Sequence, residues 1–164
     1  MKLLVLSLII PLTIISLFAF TKWWYVLPVD APDTMMMGFP LPYVCDGWHT
    51  SVSLQIFIAE FFIDLIIHFS LWFLIIFFIH QYILRINIPK FLAITLWIIT
   101  TITLSLAIFI TAMPDQIIKF KRDSDMQVID TGYKFILQQK KRPVIGNGKI
   151  LEQYNNRNNK IKYE

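Results

Sequence analysis

The sequence predicts an all-α membrane protein: three transmembrane helices, the long second and the third forming an antiparallel hairpin, then a small basic C-terminal tail. Three observations predict it. The 164 residues are 56% hydrophobic, with a mean hydropathy of +0.59, well above the apolar share of an ordinary soluble domain. The apolar residues fall in blocks, 3–20, 51–84 and 91–112, instead of alternating with polar ones at helical or strand period. The charges are segregated too, 17 of 26 lying in residues 113–164. The chain therefore divides into a transmembrane domain, 1–112, and a basic extramembrane tail, 113–164.

After Lys2, the run from Leu3 to Phe20 carries no charge, and at ~1.5 Å per residue its 18 residues just cross a hydrocarbon core of about 30 Å. Pro11 lies mid-run, tolerable in a membrane helix. The run exceeds a typical signal-peptide core and no A-x-A site follows it, so a retained anchor is expected. Residues 21–50 read as an irregular connector. Its prolines at 28, 32, 40 and 42 break regular structure, and Trp23, Trp24, Tyr25, Phe39, Tyr43 and Trp48 suit a lipid–water interface.

The block 51–84 would be about 51 Å long if wholly helical, too much for one crossing. Ser51, Ser53 and Gln55 place its buried part at 57–79, with the first turns at the interface, and His80, Gln81, Tyr82 and Arg85 mark the other surface. Asn87-Ile88-Pro89-Lys90 is a short turn, so the span 91–112 returns antiparallel. On that span Thr100, Thr103, Ala107 and Thr111 share a face of small and hydroxyl residues suited to helix packing.

The tail opens with the basic cluster Lys119, Lys121 and Arg122, suited to lipid head groups or a protein partner. It then carries the pattern of a short β-hairpin, 126–129 and 133–137 around Asp130-Thr131-Gly132. Its Asn- and Lys-rich end, from Gln153, reads as disordered. Residues 1–112 sum to −1 and the tail to +5; no nucleic acid is expected, a solubilising tail being the plainer reading. Three spans place the termini on opposite sides. The N-terminus is expected in the cytoplasm, with the connector, which holds Asp30, Asp33 and Asp46, and the tail across the membrane.

Chemistry concentrates in one place. Glu60, Asp64 and His68 recur at i, i+4 and i+8, on one helix face and about 6 Å apart in rise. A charge at mid-bilayer costs roughly 2.5–3.5 kcal/mol, so this stripe turns away from lipid. Two carboxylates at i, i+4 in low dielectric are not both ionised unless a cation lies between them. Three readings follow: a structural seam hydrogen-bonded to Thr100, Thr103 and Thr111 or to another subunit; a proton or cation path; and a divalent zinc or iron site, with His49 as a further ligand. The first is favoured, so no cofactor is expected. Cys45 and His49 near Met35-Met36-Met37 also gather soft ligands of the kind that suit Cu(I), though packing explains them better.

A single cysteine excludes an internal disulfide, and Walker A, G-x-S-x-G, C-x-x-C and dinucleotide-binding sequences are absent. No enzymatic machinery is visible. The expectation is an accessory or scaffold subunit of a larger membrane assembly, its partners the bilayer and other membrane subunits or further copies of itself. The alternative is a proton- or metal-handling membrane protein using Glu60, Asp64 and His68.

Overall fold

The structure, a computed structural model, describes residues 2–28, 34–47, 53–122 and 126–135. The apolar blocks form helices. Helix α1 is an α-turn Lys2–Leu4, a π-wound stretch Val5–Ile9 and an α-helical stretch Ile10–Ala19. Pro11 stands in the first turn after the π-wound stretch, where its missing N–H leaves least unpaired. Helix α2 is Ile58–Phe78, continued by the π-wound turn Ile79–Ile83, and α3 is Lys90–Thr111.

Where the connector and tail are described, the chain is not irregular. It forms a six-stranded mixed sheet from β1 (Phe20–Pro28), β2 (Thr34–Met37), β3 (Val44–Asp46), β4 (Leu54–Phe57), β5 (Ile117–Lys119) and β6 (Met126–Phe135), in the order β5-β4-β3-β2-β1-β6. The fold is therefore mixed α and β, which overturns the all-α expectation. Three local readings fall with it. The connector holds three strands because its described prolines do not interrupt them: Pro28 closes β1, while Pro40 and Pro42 lie in the link between β2 and β3, and Pro32 lies outside the described residues. The aromatic and β-branched run Phe20-Thr21-Lys22-Trp23-Trp24-Tyr25-Val26 has strand propensity. The segment before α2 is the strand β4 and not the helix's first turns.

The tail's predicted hairpin is also wrong. Asp130-Thr131-Gly132 sits inside the single strand β6, opposite Tyr25, Trp24 and Trp23, and a register shift between Tyr25 and Val26 absorbs the irregularity. Gly132 is needed there because the Trp23 ring lies across it, 2.6 Å from where a Cβ would stand. Four of the pairings are antiparallel, but β4 and β5 run parallel with α2 and α3 inserted between them.

Connectivity fixes the shape of the sheet. Lys119 and Met126 stand at opposite edges, yet seven Cα steps join them, a reach of ~25 Å. The ladder puts Lys119 level with Lys22, and Met126 pairs with Pro28. Flat, five strand spacings of ~4.8 Å and six residues of offset would separate them by about 30 Å. The sheet is thus not flat but curled, its edges drawn toward each other. Val26, Met36, Cys45 and Phe57 form a core on one face, with Trp24 packed against it.

Helix α1 runs into β1, β4 into α2, and α3 leads to β5, so the sheet caps one end of the bundle. In the bundle α1 is the shared partner: Trp72 of α2 donates its indole N–H to Ser16 Oγ (3.0 Å), and Trp97 of α3 donates to the Leu6 carbonyl (3.2 Å). The expected hairpin of α2 against α3 does not form as a packed pair, since both helices lie on α1 and barely meet each other.

Candidate functional site

The stripe on α2 faces inward. Asp64 is 0% exposed, His68 4% and Glu60 9%. Its partners are not on α3. Thr100, Thr103 and Thr111 each donate to the carbonyl four residues back in their own helix, Leu96, Ile99 and Ala107, so the seam expected between α2 and the α3 hydroxyls is not made. A threonine hydroxyl can satisfy itself this way without a neighbour. The face of Thr100, Thr103, Ala107 and Thr111 is nonetheless turned inward, Thr100 being fully buried.

The stripe is bound instead by the sheet. The link Gly38–Tyr43 folds down onto α2, and the Leu41 amide donates to Asp64 Oδ1 at 3.0 Å. Across the site the Arg122 backbone amide, just beyond β5, donates to Glu60 Oε1 at 3.4 Å. The two carboxylates thus take amides from different extrahelical segments, Asp64 from the Gly38–Tyr43 link and Glu60 from the turn after β5. His68 donates Nδ1–H to the Asp64 carbonyl at 2.9 Å, which fixes its ring on the helix. Phe39 then wedges between elements: it meets His68 edge-on at 6.2 Å, Phe20 edge-on at 5.4 Å and Tyr133 at 5.9 Å between ring centres. Tyr43 packs edge-to-face on Phe61 at 5.4 Å. Burial, with the Asp64 carboxylate beside it, pushes the Tyr43 phenol above the ordinary tyrosine range.

Gly38 allows the descent of the link. Its φ is +150°, and a Cβ there would stand 2.0 Å from the Leu41 carbonyl oxygen. Its N–H and C=O are both used, to the Lys22 carbonyl at 3.0 Å and from the Trp24 indole at 3.1 Å. The Phe39–Pro40 peptide is cis.

Two carboxylate oxygens, Glu60 Oε2 and Asp64 Oδ2, are buried without a hydrogen-bond partner. Even so, no three His, Cys, Asp or Glu side chains among the described residues group closely enough to hold a metal ion. His49 lies outside the described residues. The soft-ligand set disperses as well: Met36 pairs with Cys45 on one sheet face, while strand alternation turns Met35 and Met37 to the other. Cys45 Sγ contacts Gln55 Oε1 at 3.5 Å.

Of the basic cluster, Lys119 ends β5, Lys121 is exposed and Arg122 half-buried, all beside the first turn of α2. His80 accepts the Ile86 amide on Nδ1 at 3.1 Å and so caps the far end of α2. Sequence reasoning missed the partners of the stripe, Leu41, Phe39, Tyr43 and the Arg122 amide. Only the crowding of Gly38-Phe39-Pro40-Leu41-Pro42 signalled a fixed link there. No protein-family model, curated protein or solved structure matches the chain.

Proposed function

We propose that this chain is a membrane-embedded protein whose three helices hold a curled β-sheet at one face of the bilayer, and that it acts by interaction, as an accessory or scaffold subunit. One observation carries the reading. The surface of α2 is inverted relative to a water-soluble helix: Asp64 and His68 are buried, while Phe62 and Ile66 are 54% and 62% exposed. Helix α3 presents Ile94, Ile98, Ile102 and Phe109 outward in the same way. Two helices this long and apolar, with few of their residues buried, ask for lipid in place of water.

The amides that the sheet places on Glu60 and Asp64 favour a structural role for the stripe, a latch between sheet and bundle. The orphan oxygens Glu60 Oε2 and Asp64 Oδ2 favour a second reading, in which the pair handles a proton or cation. Alkaline carbonate extraction of membranes from expressing cells tests the location: the chain stays in the pellet if it is embedded and leaves it if it is soluble. Mild detergent extraction and native mass spectrometry test the role. A stable hetero-complex supports the accessory reading; a lone chain or homo-oligomer whose transport activity is lost in Asp64→Asn, with folding intact, refutes it in favour of the second.

A further inference from the structure

The turn after β5 sets an exposed aromatic ring beside cationic side chains. Ile118 in β5 and Phe120 just beyond it are 55% and 77% exposed. The Phe120 carbonyl accepts the Ala59 amide at 3.0 Å, and the Arg122 amide reaches Glu60. These two bonds fix the segment level with the first turn of α2, where the outward apolar surface of Phe62 and Ile63 begins. Phe120 therefore continues the apolar belt of the helix at its edge, and Lys119, Lys121 and Arg122 flank it at the plane where head groups would lie. Neither Lys121 nor Arg122 forms an ion pair with a described residue. Asp115 precedes the segment, and Asp123 and Asp125 follow it in sequence, so the three cations stand together between acidic neighbours.

We infer that Phe120, Lys121 and Arg122, with Lys119, form a binding surface for the phosphate groups of anionic phospholipids. An aromatic ring set at the head-group level and flanked by cations is the arrangement that such surfaces favour. This rests on the membrane reading above.

The test uses the full chain in neutral detergent carrying Arg85→Gln and Lys90→Gln, which remove exposed cations at the opposite end of the bundle. Dioleoyl phosphatidylglycerol or dioleoyl phosphatidylcholine is titrated in, and retained lipid is counted by native mass spectrometry. At ~1 kcal/mol for each cation near a charged surface, adding Lys121→Gln and Arg122→Gln weakens phosphatidylglycerol retention about thirtyfold, with phosphatidylcholine unchanged. Phe120→Ser weakens retention of both lipids. Equal phosphatidylglycerol retention with and without the two cations overturns the inference, as does equal retention of the two lipids by the parent chain. Circular dichroism identical to the parent confirms that a loss is not misfolding. Carbonate extraction is run alongside: release of the unmodified chain defeats the membrane reading itself, whereas continued integration with no lipid preference defeats only the anchor.

Discussion

Removing the acceptor at Asp64 should separate a latch from a charge site. Asp64→Ala deletes Oδ1, leaving the Leu41 amide without its partner at 3.0 Å in a site where Asp64 itself is 0% exposed. A hydrogen bond to a charged group contributes ~1.5–3 kcal/mol, and the shortened side chain adds a small cavity, so about 2–4 kcal/mol of stability is lost. Asp64→Asn keeps the acceptor oxygen and turns the orphan Oδ2 into an amide group, costing less than about 1 kcal/mol. The assay is unfolding of the detergent-solubilised chain by sodium dodecyl sulfate, followed by circular dichroism, with limited proteolysis of the Gly38–Tyr43 link. Cleavage of the link should rise in Asp64→Ala and stay near the parent level in Asp64→Asn. The latch argument is refuted if Asp64→Asn is as damaging as Asp64→Ala, since then the charge and not the acceptor matters; a neutral Asp64→Ala refutes it equally.

Three further outcomes are expected. Gly38→Ala, at φ +150° with a Cβ 2.0 Å from the Leu41 oxygen, should cost at least about 3 kcal/mol in the same titration and expose the link to protease. Trp72→Phe and Ser16→Ala should each cost ~0.6 kcal/mol, with the double variant little worse than either, because both delete the bond between α2 and α1. Tyr43 has a phenol pKa raised on folding, so its contribution is whole below the ordinary value of 10.0 and is lost as pH rises above it, where the unfolded chain ionises first. Stability measured from pH 8 to 11.5 should fall at the alkaline end, and Tyr43→Phe should flatten that fall.

The helices were legible because long apolar runs leave few alternatives, and the runs 3–20, 57–79 and 91–112 lie close to Lys2–Ala19, Ile58–Phe78 and Lys90–Thr111. The stripe was legible from spacing alone, since i, i+4, i+8 defines a face whatever surrounds it. The sheet was hidden for a physical reason. Its strands β2 to β5 are three or four residues long, too short for alternation to register. Their pairing also links positions far apart, as in Gln55 with Ile117, which no local pattern encodes. The stripe's partners were illegible for a related reason. Leu41 and Arg122 contribute backbone amides, and a backbone donor leaves no trace in residue type. The α3 hydroxyls misled because threonine in a helix can bond its own turn, as Thr100 does with Leu96.

The strand order sets the timetable of assembly. Strands β1 to β4 leave the ribosome before α2 exists, yet β1 must wait about a hundred residues for β6, and β4 for β5 on the far side of two helices. Pairings of such long sequence separation form late, after the chain entropy between them has been overcome. During that interval the edges of β1 and β4 are open to wrong partners. Trp24, Val26, Met36, Cys45 and Phe57 all lie on β1 to β4, so their core can gather before the two edge strands arrive. Synthesis halted after Thr111 should therefore yield three helices carrying four of the six strands with both edges open, and β5 and β6 are the strands that close those edges.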